Sequence, residues 1–415
     1  MTLRPAKKED YMETVTPESV GLNSTQLERI GQHLDDRYVS PGKIPGYQVL
    51  VARDNQLCYH RTSGLRDLER QTPLTDDTVF RIYSMTKPVT SLALMTLYEK
   101  GKFALEDPVH RFIPQWRDMR VWKAGAWPLF DTVPCARPMT VRDLLTHTSG
   151  LTYDFLRASN IDRAYRKQGV ARPEPGYTLE DMVNQLAALP LEFSPGEKWN
   201  YSVATDVLGY LVEVISGKPF DRFLQDTIFE PLGMGDTGFI IRQDQEARFA
   251  SCYQRNTSKA LELTDDGQAS AYRDRSFHSG GGLVSTTADY FRFCQMLANG
   301  GTLDGERIIG SRTLEFMTAN HLPGAVDMSE FAVGSFSETA YEGVGFGLGF
   351  ATKVDPIANG YPASEGSFYW GGLASTLFWV DPVEDLIVIF MTQLIPSSTF
   401  NFRGQLESLV YGALE

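Results

Sequence analysis

Strand-forming runs lie near both ends of this chain, and the stretch between them reads as helical. Tyr47 to Ala52 and Gln56 to Arg61, joined by Arg53-Asp54-Asn55, read as a β-hairpin. Much later, Ser375 to Val380 and Leu386 to Thr392 are apolar and β-branched, and Asp381-Pro382-Val383-Glu384-Asp385 turns between them. Gly345 to Phe350 alternates with period two and reads as another strand. From about Leu105 to His278 helical spacings dominate, at Val141 to Leu145, Thr178 to Leu189 and Thr205 to Ser216. Irregular stretches rich in Pro, Gly and aromatics separate them, Trp116 to Arg137 being one. These patterns fit an α+β protein with one sheet built from both termini and a mainly helical domain inserted between them. The boundaries fall at 1–104 and 280–415 for the α/β domain and 105–279 for the helical one.

Helices are expected to flank the sheet. Thr25-Gln26-Leu27-Glu28 fits a capping box, with Leu27, Ile30 and Leu34 at helical spacing, so a helix is read from about Thr25 to Tyr38. Thr286-Thr287-Ala288-Asp289 opens another, to about Ala298, and a last one spans about Phe402 to Tyr411.

A chain of 415 residues suffices for two or three structural units, and 42% hydrophobic with 22% charged residues is an ordinary globular balance. A net charge of −13 argues against nucleic acid and anionic membranes as partners. The four cysteines are far apart and form no CxxC pair, which fits buried reduced thiols. Six scattered histidines without H-E-x-x-H give no support for a metal. Met1 to Tyr11 is polar, with Lys7, Lys8, Glu9 and Asp10, and no run of 18 apolar residues occurs. A soluble cytoplasmic protein without a membrane partner is the expectation.

Chemistry enters at Ser84-Met85-Thr86-Lys87, where the strand-like run Thr78 to Tyr83 meets an apolar helix from Pro88 to Lys100. Residues three apart share a helix face, which sets the Lys87 amine beside the Ser84 hydroxyl. A serine needs a base to become a nucleophile, and lysine serves only where burial or a neighbouring cation lowers its pKa. Val89, Leu92, Ala93, Leu94, Met95 and Leu97 supply such burial. Ser-x-x-Lys alone also fits Ser40-Pro41-Gly42-Lys43, which lies in a turn, and Ser84 reads equally well as a helix N-cap.

Two further stretches carry chemistry. Ser194-Pro195-Gly196 turns into Tyr201-Ser202-Val203, just before the helix bearing Asp206, Leu208, Val212 and Ile215. A tyrosine at a helix entrance reaches into a cleft, or else packs in the core with its hydroxyl satisfied. Beside an ammonium group it accepts a proton near neutral pH. In Trp370-Gly371-Gly372-Leu373, two glycines at the start of a strand imply close approach by a ligand or another backbone, or a bulge. Other motifs carry less. The glycines at 343, 345, 347 and 349 do not match a nucleotide loop, His147 in Thr-His-Thr-Ser-Gly invites a Ser–His pair, and no G-x-S-x-G elbow occurs.

Taken together and in order, these stretches resemble the serine β-lactamase and penicillin-recognising superfamily, closest to class C β-lactamases and family VIII carboxylesterases. Arg81 to Lys87 is similar to its first motif, and Pro195-Gly196 through Tyr201-Ser202, with Ala204 and Asp206, to its second. Leu144 to Leu151, Gly280 to Thr287 and Trp370 to Asp381 resemble other segments, so the likeness spans nearly the whole chain. It implies a β-lactamase/transpeptidase-like fold with an antiparallel sheet, no cofactor and no metal. It implies Ser84 as nucleophile, Lys87 and Tyr201 as shared base, a structural role for His147, and the backbone N–H groups of Ser84 and Leu373 as oxyanion hole. Tyr153 and Trp370 are expected to wall the pocket, with Gly371, Gly372 and Val203 beside them.

The departures bear on substrate. Val203 stands where class C enzymes carry an Asn that binds the substrate amide, and Trp370-Gly371-Gly372 replaces their Lys-Thr-Gly. Loss of both anchors favours a neutral small-molecule ester, with short acyl groups against aromatic walls. The same acyl-serine also serves a β-lactamase, a D-amino-acid peptidase or an acyltransferase, and a non-catalytic binding homologue would keep the fold alone. Oligomeric state is left open.

Overall fold

The computed structural model describes residues 12–171, 176–274, 278–334 and 339–415. The polar segment 1–11 lies outside them. Eight strands form one sheet: β1 (Gly46–Arg53), β2 (Gln56–Asp67), β3 (Thr72–Pro73), β4 (Val344–Phe346), β5 (Ala351–Lys353), β6 (Phe368–Gly371), β7 (Leu377–Asp381) and β8 (Leu386–Met391). Their order is β4-β5-β6-β7-β8-β1-β2-β3, and every neighbouring pair is antiparallel. The last strand of this sheet in chain order therefore pairs with the first, Gln48 facing Met391 and Arg53 facing Leu386. Asp54 and Asn55, with φ of 52° and 60°, close the β1–β2 hairpin. Both tolerate the left-handed conformation that a two-residue turn requires.

β7 and β8 are buried along their whole length, because helices cover both faces of the sheet. The helices used below are α1 (Ser24–Leu34), α2 (Thr86–Glu99), α3 (Val141–Leu145), α4 (Leu179–Ala187), α5 (Ala204–Ser216), α6 (Thr287–Ala298) and α7 (Phe402–Tyr411). Phe390 on β8 packs on Phe402 of α7 at 4.9 Å between ring centroids, and Phe378 on β7 packs on Tyr290 of α6 at 5.1 Å. Phe390 lies opposite Leu377 and Phe378 opposite Ile389, so the two rings point to opposite faces. α7 is tied down by a buried ion pair, Lys353 Nζ to Glu407 Oε2 at 2.7 Å. α5 packs against α2, and α4 against α5. One continuous apolar core runs through the sheet layers and the helices of the middle segment.

Several elements differ in detail from the sequence reading. α1 is capped by Asn23, whose side chain accepts from Gln26 N, and not by Thr25, because Asn23 keeps the extended backbone a cap requires. The α-helix ends at Leu34, and a π-type turn carries on to Val39. The segment read as irregular holds a hairpin, Arg120–Ala126 with Leu129–Pro134, so the middle of the chain is not purely helical. A second small sheet joins Cys252–Arg255, Leu261–Asp265 and Leu394–Ile395.

Gly345 to Phe350 is the end of β4 and the turn into β5 instead of one strand: Phe346 pairs with Ala351 across that turn. The alternating glycines answer to close packing. A Cβ on Gly347 would meet Met317 O at 2.2 Å, and one on Gly349, whose φ is +96°, would meet Ser91 Oγ of α2 at the same distance. Because the obstacle at Gly347 is backbone, Gly347→Ala is expected to destabilise the protein by about 1–3 kcal/mol, the range for overpacking. A lower urea midpoint at unchanged m-value would register it, and an unaltered midpoint would mean that the turn shifts freely.

Candidate active site

The nucleophile candidate sits in a tight turn. Phe80–Arg81 pairs with Val284–Ser285 in a short ribbon, then a 3-10 turn over Tyr83–Met85 leads into α2. Tyr83 has a φ of 42°, an uncommon conformation for a bulky residue, directly before Ser84. Neighbours hold the turn in place. Tyr290 O–H donates to Met85 O at 2.9 Å, and Leu283 N–H donates to Thr86 Oγ1 at 3.1 Å. Ser84 thus precedes the helix, and no hydrogen bond from its side chain caps α2. Thr86 through Leu97 are all buried, which is the apolar surround the sequence implied for Lys87.

Three side chains converge. Tyr201 Oη lies 2.6 Å from Ser84 Oγ, and Lys87 Nζ lies 3.3 Å from it. All three are buried, Ser84 at 8% exposure, Lys87 at 3% and Tyr201 at 2%. The Lys87 ammonium stands 4.9 Å from the centre of the Tyr201 ring and 5.4 Å from that of Tyr153. The copy of the motif at Ser40 has an exposed serine in a turn.

Asp206 completes the polar cluster. It was visible as a residue of the α5 helix, but nothing in the spacing assigned it chemistry. Buried at 3% exposure, its carboxylate accepts from Tyr153 O–H at 3.2 Å. Burial raises its pKa, and the Lys87 charge, the Tyr153 hydroxyl and the Gly280 N–H work the other way. Gly280 must be glycine here, since a Cβ would lie 2.7 Å from the Thr205 carbonyl carbon. The next residue closes over the lysine: a Cβ at Gly281 would stand 3.7 Å from Lys87 Nζ.

His147 is not the serine's partner. Its Nδ1 lies 3.2 Å from Ser202 Oγ, and its ring packs on Tyr201 at 5.0 Å. Burial and then the Lys87 charge hold its pKa well below the usual histidine range, so it is neutral at physiological pH.

The expected pocket residues are placed unequally. Tyr153 is half-buried and stacks on the exposed Phe155 at 4.7 Å. Trp370 is fully buried and packs against Tyr201, ring to ring at 5.7 Å. Val203, 1% exposed, occupies the N-cap of α5 without a side-chain hydrogen bond. Gly371 ends β6 instead of starting a strand, and Gly372 begins the turn to β7, where a Cβ would meet Ile82 O at 2.4 Å. That contact brings the turn against the nucleophile's own segment. Leu373 is half-buried in the same turn. Arg403 and Ser375 are engaged with backbone: Arg403 donates to Trp370 O at 2.9 Å, and Ser375 Oγ to Leu394 O at 2.7 Å. Among the described residues no three His, Cys, Asp or Glu side chains gather as a metal site, and no helix is long and apolar enough to cross a membrane.

An α+β protein with a large antiparallel sheet, a buried Ser-x-x-Lys pair and a tyrosine hydroxyl on the serine defines the serine hydrolases of β-lactamase-like fold. The β-lactamase family model matches residues 31–408, and the chain belongs to that family. It is 35% identical over 358 residues to the Rv1367c protein of Mycobacterium tuberculosis, covering 86% of this chain and 87% of the other. It is 30% identical over 398 residues to the esterase EstB of Burkholderia gladioli, covering 91% and 93%. Among solved structures, EstCE1, described as a hydrolase with promiscuous acyltransferase activity, superposes with a TM-score of 0.76 at 26% identity, covering 96% of this chain and 99% of that one.

Proposed function

We propose that this protein is a serine carboxylesterase that hydrolyses short-chain esters through an acyl-enzyme on Ser84. The carrying observation is the contact of one buried serine oxygen with two proton-transfer groups, Tyr201 Oη at 2.6 Å and Lys87 Nζ at 3.3 Å. Ser84 Oγ attacks the ester carbonyl, and its proton passes to the Lys87–Tyr201 pair. The two share the base role, since groups this strongly coupled titrate as a unit. The backbone N–H groups of Ser84 and Leu373 receive the oxyanion; at the start of its 3-10 turn the Ser84 N–H has no intrahelical acceptor. Tyr201 returns the proton to the leaving alkoxide, and a water activated by the same pair then hydrolyses the acyl-enzyme. Asp206 and Tyr153 fix the lysine's electrostatic surroundings. The likeness to EstB supports ester substrates.

The test is substrate class. Val203 offers no hydrogen bond to a substrate amide, and Trp370 offers no cation to a carboxylate. Each unsatisfied group on a bound β-lactam costs about 1–3 kcal/mol, so two lower kcat/KM by roughly 10²- to 10⁴-fold. p-Nitrophenyl butyrate is expected to outrun nitrocefin by that order. Comparable constants for the two would put β-lactam hydrolysis first.

Transfer to an alcohol is the second reading, motivated by the acyltransferase activity in the description of EstCE1. An added alcohol acceptor would divert the acyl group into a new ester at unchanged p-nitrophenol release.

A further inference from the structure

A cavity of about 530 Å³ borders Tyr201, the tyrosine of the site described above. Leu156, Phe193 and Tyr341 give it apolar walls. Its polar lining includes Glu192 and Ser159, with the exposed Lys198. We infer that this cavity receives the leaving-alcohol half of the ester, and that Glu192 selects neutral alcohols carrying a further hydroxyl group.

The assignment of the alcohol half rests on the esterase reading. If Tyr201 hands its proton to the leaving oxygen, that oxygen sits against the tyrosine, and whatever it carries extends into the space Tyr201 borders. A cavity of this size is in the range that holds whole small ligands, and is far more than an ethyl or propyl group fills.

The chemistry of Glu192 narrows the occupant. Its carboxylate is anchored by Ser159 Oγ, which donates to it while also accepting from the N–H groups of Ile161 and Asp162. One carboxylate oxygen is therefore held in place. Burial raises the Glu192 pKa to about 7, the Ser159 bond opposes this, and the nearby Asp162 adds to it. A carboxyl group divided between its two forms both accepts from and donates to a hydroxyl. It holds a cation weakly, and the Lys198 ammonium in the same lining disfavours a cationic alcohol further.

Three butyrate esters test this in the intact protein: p-nitrophenyl butyrate, propyl butyrate and glycerol monobutyrate. Propyl and glyceryl groups share a three-carbon frame and differ in hydroxyls, so the ratio of their kcat/KM values isolates hydroxyl recognition. Wild-type protein is expected to prefer the glycerol ester by about tenfold or more, as one charge-assisted hydrogen bond provides. Glu192→Leu should bring the ratio close to one, and Glu192→Gln, which still reaches Ser159 and a hydroxyl, should restore most of it. A wild-type ratio near one overturns the inference without needing any variant to fold. A ratio that survives Glu192→Leu overturns the role of Glu192. Failure on all three esters, p-nitrophenyl butyrate included, overturns the esterase reading instead.

Discussion

Ser84→Ala is expected to abolish ester turnover, by on the order of 10⁴- to 10⁶-fold, while the protein stays folded. The substitution removes one oxygen that two buried groups contact, Tyr201 Oη at 2.6 Å and Lys87 Nζ at 3.3 Å. It leaves the turn's backbone bonds in place, since Met85 N to Ile82 O and Tyr290 O–H to Met85 O do not involve the Ser84 side chain. The structural cost is therefore two lost hydrogen bonds, roughly 1–3 kcal/mol together. Turnover of p-nitrophenyl butyrate, read beside the near-ultraviolet circular dichroism spectrum, separates loss of chemistry from loss of fold. A serine-directed phosphonate should label the wild-type protein on Ser84. Retention of most turnover by Ser84→Ala would place the nucleophile elsewhere.

Lys87→Ala and Tyr201→Phe should each lower kcat by about 10²- to 10⁴-fold, the span for general acid–base catalysis. The instructive measurement is the double variant. Lys87 Nζ lies 4.9 Å from the Tyr201 ring centre, and both reach the same serine oxygen. A proton relayed through the pair stops when either member is lost, so removing the second should add far less than its own single-variant cost. Losses that add as free energies would show two independent groups and end the shared-base account. Tyr201→Phe keeps the ring that packs between His147 and Trp370, so its loss reports the hydroxyl and not the packing.

Much of the site was legible because its spacing is local. Ser84 and Lys87 are one helical turn apart, and Tyr201 follows a Pro-Gly turn, so short-range rules placed each on its element. Strongly periodic elements were legible for the same reason: α7 spans the residues its pattern gave, and the turn between β7 and β8 falls where the Asp-Pro cluster put it. What the sequence left out is depth and partnership across the fold. Asp206 stood in view on α5, but its meeting with Tyr153 depends on how two distant segments pack. Gly345 to Phe350 imitated a strand, because glycines pressed against Met317 O and α2 alternate with core aromatics whether or not the chain reverses. The Arg120–Pro134 hairpin was hidden because its residues are mostly exposed and carry no apolar alternation to find. The contact of the Trp370 ring with Tyr201 likewise depends on packing between distant segments.

The sheet's strand order also dictates a timetable. β1 pairs with β2 as soon as both are made, but its other edge stays open until β8 emerges from the ribosome. During all of that synthesis the N-terminal hairpin presents an unpaired strand edge, the kind of surface on which chains stick to one another. The α2 helix, buried along twelve successive residues in the finished protein, has little of its final cover in the same interval. Closure of such distant pairings is slow. The serine is made early, yet Trp370 against Tyr201 and Gly372 against Ile82 come only with the late strands. Yield on expression should therefore depend on holdase chaperones and on growth temperature far more than the stability of the folded protein would suggest.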